Sequence, residues 1–204
     1  MDVVSRAETT ASRRDAIMAC ALELFVEKGV VATSVDDIRV ATGSSVGTVY
    51  HHFVSKEGIA VAIYANALVD YQRGAAEALR RARDTRDGLS RLVQQWLRWV
   101  EANPARAKLL LLVDHRDVRE LGAEAAAKLN VGFFAELDAW VSKCADMPWL
   151  ASMRRDLFLA LLFGPARRYA ELWLTVDSAT PMSVARPTIA RATVAALEAA
   201  GRRA

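Results

Sequence analysis

Between Gly43 and Lys56 the chain gathers hydroxyls, imidazoles and an ammonium in one short stretch: Ser44, Ser45, Thr48, Tyr50, His51, His52 and Lys56, with Gly47 among them. Two chemistries suit such a set. Gly43-Ser44-Ser45-Val46-Gly47 fits G-x-S-x-G, the turn that exposes a nucleophilic serine in α/β-hydrolases. That turn needs a strand before the serine. The residues that precede Ser45 have helical spacing instead, and the chain lacks the alternating strand pattern of an α/β sheet. The second chemistry is DNA contact. Ser45, Val46, Gly47 and Thr48 are small enough for a helix carrying them to approach base edges. Their hydroxyls reach bases or phosphates, and a Val or Thr methyl can meet a thymine methyl. Tyr50, His51, His52 and Lys56 follow as polar groups able to grip the phosphate backbone. Thr33 and Ser34, at the start of the preceding helix, complete the set of DNA-contact candidates.

The elements that must position these residues are short. Thr33 is read as an N-cap, with Asp36 three residues on completing a capping box. Val35, Ile38 and Thr42 give the first helix an apolar side. Gly43 stands where a left-handed residue ends it. Ser44 caps a second helix, Ser45 to about His51, and Ser55 caps a third that starts at Lys56. Helix, tight turn and short helix make a helix-turn-helix, whose second helix enters the major groove. Phe53 is expected to plug the three-helix core beneath it.

The stretch 33–57 resembles the DNA-binding signature of the TetR family of bacterial regulators. Thr33, Val35, Ile38, Gly43, Ser45, Gly47, Thr48, Tyr50, His52, Phe53, Ser55, Lys56 and Glu57 carry the resemblance. Ala21, Phe25 and Gly29 resemble the family's first helix. Arg39 departs from it, standing where the family has a small residue, and is expected to snorkel outward or widen the helix contact. Thr42 and Ser44 replace Ala and Val. The resemblance implies a sequence-specific transcriptional regulator, phosphate contacts from Tyr50, His52 and Lys56, and a homodimer joined through the last two long helices. Two-fold symmetry then implies a palindromic operator in double-stranded DNA.

No other cluster makes a catalytic or metal site. Asp114, His115 and Arg116 read as a solvated helix end. Adjacent His51 and His52 point about 100° apart on a helix and do not chelate one metal. Cys20 and Cys144 are far apart, without ligand spacing, and read as reduced thiols. We expect no enzyme, no cofactor and no metal.

The second half is rich in aromatics: Trp96, Trp99, Phe133, Phe134, Trp140, Phe163, Tyr169 and Trp173. Each one alone serves core packing. As a set they line a pocket for a flat or apolar effector, to which Arg167 and Arg168 can add charge.

The 204 residues are 53% hydrophobic, with five Pro and ten Gly, a composition that favours long helices and an ample core. The net charge of +3 is not placed where DNA is expected: residues 1–60 hold six Lys or Arg against eight Asp or Glu. DNA binding must therefore rest on local placement of Arg13, Arg14, Lys56 and helix N-termini. The longest apolar run, 157–166, is too short to span a bilayer, and no signal peptide opens the chain. A cytoplasmic protein with no membrane role is expected.

The expected fold is all-α, about nine helices, with a three-helix DNA-binding part (1–55) and a helical bundle for ligand and dimerisation (56–204). Residues 1–11 are read as a structureless arm and helix 1 as 12–28. Helix 4 spans 56–81 and is the only element expected to join the halves. Helix 5 covers 87–102, helix 6 starts at Pro104, and helix 7 covers 118–144. Helix 8 covers 150–176, kinked at Gly164-Pro165 and buried between Leu157 and Phe163. Helix 9 covers 187–201. An alternative function is a structural DNA-binding protein of the same fold, nucleoid or division associated, regulated by a protein partner.

Overall fold

The structure is a computed structural model that describes residues 2–112, 116–177 and 179–201; the side chains of 2–10, 112 and 116–122 are not part of that description. Asp114 and His115, and the side chain of Arg116, lie outside the described residues. Nine α-helices are described: α1 (Asp2–Lys28), α2 (Val35–Thr42), α3 (Val46–His52), α4 (Lys56–Arg80), α5 (Thr85–Ala102), α6 (Pro104–Leu112), α7 (Arg116–Val141), α8 (Arg155–Thr175) and α9 (Met182–Gly201). A 3-10 turn, Pro148–Ser152, precedes α8. The fold is all-α.

The chain forms two compact units. One is Met1–Ala67 with Ala105–Ala127; the other is Leu68–Pro104 with Lys128–Ala204. Both α4 and α7 therefore contribute residues to each unit, so helix 4 is not the sole connection that the sequence led us to expect.

In the first unit Ile17, Ala21 and Phe25 of α1 meet Ile38 of α2, Val49 of α3, Phe53, Ile59 and Ile63 of α4, and Leu109 of α6 in one core. Phe53 is buried there, as expected, with the Arg14 guanidinium 4.9 Å above its ring. Helix α1 starts at Asp2 and not at Ser12. Nothing in 2–11 breaks a helix: the segment has no Gly or Pro and contains Ala, Glu and Arg.

The second unit packs α5 against α9 and α8. Leu89, Leu92, Val93, Leu97 and Val100 bury one face of α5, while α9 contributes Met182, Ala185, Ala190, Val194 and Leu197. Helix α5 starts at Thr85, two residues earlier than expected, because the Asp84 carboxylate accepts the Asp87 N–H at 2.7 Å and caps it. Helix α7 ends at Val141, and α8 begins only at Arg155, because the Met147-Pro148 break is followed by the 3-10 turn. Helix α9 starts at Met182 and takes Pro187 in its interior; the Val184 and Ala185 N–H groups both reach the Pro181 carbonyl at 3.0 Å. Helix α8 continues through Pro165. Between Leu157 and Phe163 only Phe158 and Leu162 are buried in the single chain, and Leu157 is 49% exposed, contrary to the expected burial of that stretch.

Candidate nucleic-acid interface and aromatic cluster

The helix-turn-helix is built by two serine caps. Ser34 has extended backbone, its Oγ accepts the Asp37 N–H at 3.0 Å, and the Asp37 carboxylate accepts the Ser34 N–H at 2.8 Å. This reciprocal capping box lies one residue later than the Thr33–Asp36 box expected from sequence. The Ser34 backbone and hydroxyl hydrogen bonds, with Lys28 beyond, hold the Asp37 carboxyl below its ordinary pKa. Thr33 is fully buried and faces the other way, its Oγ1 donating to the Gly29 carbonyl at 2.8 Å. Gly43 ends α2 with φ +60°, and the Ser44 N–H turns back to the Arg39 carbonyl at 3.1 Å. The cap of α3 is Ser45 and not Ser44; its Oγ accepts the Thr48 N–H at 3.1 Å. Ser44 is buried in the turn. Ser55 caps α4 as expected, taking the Gly58 N–H at 3.1 Å.

These caps fix which face of α3 points outward. Val49 is buried, whereas Val46 is 46% and Tyr50 53% exposed, and Gly47 and His51 are exposed beside them. Residues 46, 47, 50 and 51 form one helical stripe. Ser34 and Ser45 are exposed; Thr48 and His52 flank the stripe half-buried, with Thr48 Oγ1 2.8 Å from Ser45 Oγ. Burial, followed by His51, Arg14 and Arg13, holds the His52 imidazole below its ordinary pKa. A Cβ on Gly47 would meet nothing closer than Ser45 Oγ at 3.9 Å. The fold itself therefore has no need of glycine at a mid-helix position where it costs about 1 kcal/mol against alanine.

Two sequence-derived residues have contacts that sequence alone did not reveal. The Lys56 ammonium donates to the backbone carbonyls of Val31 at 2.7 Å and Thr33 at 2.8 Å, tying the start of α4 to the turn before α2. Arg39 Nε donates to Asp36 at 2.7 Å on the surface, so it snorkels outward and leaves Ile38 to make the buried contact. The strand that a nucleophile elbow requires is absent, since α2 and the Gly43 turn precede Ser45. Among the described residues no group of three His, Cys, Asp or Glu side chains is placed to hold a metal.

The second unit sorts the aromatics. Trp96 and Trp99 stack at 5.7 Å and 16°. Tyr71 of α4 meets Trp96 edge-on at 4.9 Å, Trp99 at 6.1 Å and Phe133 at 6.3 Å; Phe134 adjoins Phe133 at 5.6 Å, with the Arg155 guanidinium 5.5 Å above its ring. Tyr71 is not among the aromatics that the sequence singled out; it lies on the apolar stripe of α4. Its phenol within that stripe was the available signal for more. Trp140 is elsewhere, against Gly88. Phe163 and Trp173 are half-buried, Tyr169 donates its hydroxyl to the Thr180 carbonyl, and Arg167 and Arg168 pair with Glu171 on the surface.

Residues 17–63, the helix-turn-helix with its flanking helices, match the family described as bacterial regulatory proteins, tetR family. The chain belongs to the TetR family. It is a DNA-binding transcriptional regulator and not an enzyme. It is 27% identical over 165 residues to the HTH-type transcriptional activator FasR of Mycolicibacterium smegmatis, covering 81% of this chain and 74% of that one. To the HTH-type transcriptional repressor KstR2 of the same organism it is 47% identical over 47 residues, 23% of each chain. The TetR fold extends over the whole bundle. The fatty acid degradation regulator FadR of Bacillus halodurans superposes with a TM-score of 0.74 at 18% identity, covering 89% of this chain and 94% of that one. FadR of Bacillus subtilis, solved in complex with stearoyl-CoA, superposes with a TM-score of 0.73 at 16% identity, covering 88% and 96%. No described helix is long and apolar enough to cross a membrane.

Proposed function

We propose that this TetR-family regulator is a repressor that binds a palindromic operator as a homodimer and is released by a small apolar or aromatic ligand. The observation that carries the reading is the outward stripe of α3, where Val46, Gly47, Tyr50 and His51 are exposed above a buried Val49. An exposed Val and Tyr on a two-turn helix, beside a glycine its own fold does not need, suit contact with bases and sugar rather than with water. Residues 1–55 hold this function, and 56–204 hold ligand binding and dimerisation. A regulator that binds DNA in this way acts in the cytoplasm on this reading.

Two features support the finer parts. Leu157 and Leu172 of α8, Val176 just past its end, and Val184 of α9 are exposed apolar side chains on or beside the last two long helices, which suits an interface between two copies. The ring cluster of Tyr71, Trp96, Trp99 and Phe133 suits an apolar effector, and a structural relative carries stearoyl-CoA. Selection of bound duplexes from random DNA, repeated with stearoyl-CoA present, tests the whole reading. A two-fold-symmetric consensus that stearoyl-CoA or a shorter apolar ligand weakens is the expected result. An asymmetric or absent consensus would overturn it. Sedimentation tests the dimer: a monomer at micromolar concentration would contradict it, as would a dimer that survives charge substitutions at both Leu172 and Val184.

A further inference from the structure

The aromatic cluster of the second unit contains two buried hydrogen-bond donors for which the described residues supply no acceptor. The Tyr71 hydroxyl and Trp96 Nε1 belong to rings in contact at 4.9 Å and 80°, and neither atom has a partner among the described residues. Buried polar atoms in folded proteins are nearly always paired, so each orphan needs an explanation. The neighbouring indole shows the contrast: Trp99, stacked on Trp96, gives its N–H to Asp70 at 3.0 Å.

We propose that Tyr71 Oη and Trp96 Nε1 are the polar anchor of the effector site and take a neutral carbonyl oxygen, that of a ketone, ester or thioester, on an otherwise apolar molecule. The proposal rests on the effector reading given above. Its chemistry follows from the donors. An indole N–H can only donate. Burial raises the Tyr71 phenol far above its ordinary pKa, so it stays protonated and keeps its hydrogen to give. Two donors call for an acceptor. The flanking rings of Trp99 and Phe133 offer apolar surface to the rest of the molecule. A carboxylate would satisfy the same donors, but no cation is among the described ring contacts of Tyr71 and Trp96, and a buried anion without one is disfavoured. A neutral carbonyl carries no such burden.

The test uses the full chain and three ten-carbon probes, decan-2-one, decanoate and decane, with binding followed by tryptophan fluorescence and calorimetry. Decan-2-one should bind about tenfold more tightly than either other probe, the order expected for one or two hydrogen bonds to a neutral acceptor. Tyr71→Phe should lose about that factor for decan-2-one and leave decane unchanged. Its melting temperature should not fall, since the substitution removes an unpaired buried hydroxyl and no contact of the ring. Trp96→Phe is the second variant, with the same expected selectivity for the ketone. No binding of decan-2-one, equal binding of decanoate, or parental ketone affinity in Tyr71→Phe would each overturn the anchor. Adding the selected operator duplex separates the two readings. A ketone that binds through Tyr71 without weakening operator binding upholds the anchor and overturns the effector role. Operator release by a ligand indifferent to Tyr71→Phe does the reverse.

Discussion

The Lys56 ammonium donates to the backbone carbonyl of Thr33 across 2.8 Å, so a side chain expected to touch DNA phosphate also holds the turn that presents α2. A second bond, to the Val31 carbonyl, uses another of its three protons. Among the described residues no further acceptor is recorded for it, which leaves one proton for an outside acceptor. Lys56→Ala should therefore have two effects. Binding to specific and random DNA alike should weaken, with the salt dependence flattened by about one unit of slope. The melting free energy should also fall by about 1–2 kcal/mol, from loss of charge-assisted bonds at a half-buried site. Salt titrations of binding and a denaturant melt measure the two separately. A stability loss with no change of salt slope would leave Lys56 as a strap alone.

Gly47 gives a prediction in which stability and function move in opposite directions. Ala at 47 meets only Ser45 Oγ, at an ordinary contact distance. Gly47→Ala should stabilise α3 by up to about 1 kcal/mol. Operator affinity should nonetheless drop, because the added methyl stands on the outward stripe where the helix approaches the groove. Equal affinity in a duplex-binding assay would remove Gly47 from the interface.

His52 predicts a pH dependence whose sign can be worked out. Burial lowers its pKa in the free protein, and His51, Arg14 and Arg13 add to the effect, so the neutral imidazole is favoured there. The groups facing it are the Arg14 and Arg13 guanidinium groups, the His51 imidazole and the Phe53 ring, which lies 6.5 Å away. A lowered folded-state pKa means that the unfolded chain binds the proton more readily. The associated stability is complete above the unfolded value, about 6.5, and is lost as pH falls towards the folded one. A phosphate beside His52 reverses the balance and favours the charged form. DNA affinity should therefore rise as pH falls from about 7.5 to 6, with proton uptake on binding. His52→Gln should remove that component in titrations run at several pH values; an unchanged pH profile would show that His52 does not face phosphate.

How much of this was visible in the sequence depends on the range of the interaction. The helix-turn-helix was legible because its signals are local: Gly43 must take a positive φ, and the serines must cap. The caps themselves were misplaced by one residue at both Thr33 and Ser44. Two hydroxyls stand in tandem at each place, and only tertiary packing decides which faces the core. Thr33 is drawn inward to Gly29, leaving Ser34 to cap; Ser44 is buried in the turn, leaving Ser45. The Lys56 strap spans 23 and 25 residues and had no local signal. The aromatics were legible as a set but not by role, since ring contacts join α4, α5 and α7 across long separations.

Trp140 illustrates that sorting. A Cβ on Gly88 would stand 2.2 Å from its ring, so the indole covers the bare backbone of α5. Gly88→Ala should destabilise the second unit by about 1–3 kcal/mol, as overpacking does, with Trp140 forced to move. Trp140→Phe in the same chain should recover part of the loss, because the smaller ring frees the space. Chemical denaturation of the single and double variants measures the coupling. Independent, additive effects would mean that the two residues do not share this contact.

The final prediction concerns the switch. Helix α4 contributes residues to both units and carries Lys56 at one end and Tyr71 towards the other. A ligand that prefers one packing of Tyr71 against Trp96 biases that helix. In a dimer, the bias acts on the spacing of two recognition helices, which must match a turn of the duplex or a multiple of it. The ligand need not touch DNA; it needs unequal affinity for the operator-bound and free states. A hundredfold preference corresponds to about 2.7 kcal/mol of coupling. Linkage makes the effect reciprocal, so saturating operator duplex should weaken ligand binding by the same factor by which ligand weakens operator binding. Calorimetry of the ligand with and without duplex measures one side, and duplex titration with and without ligand the other. Equal ligand affinities in the two states would show that the aromatic site does not act on DNA, and a protein partner would then be the regulator to seek.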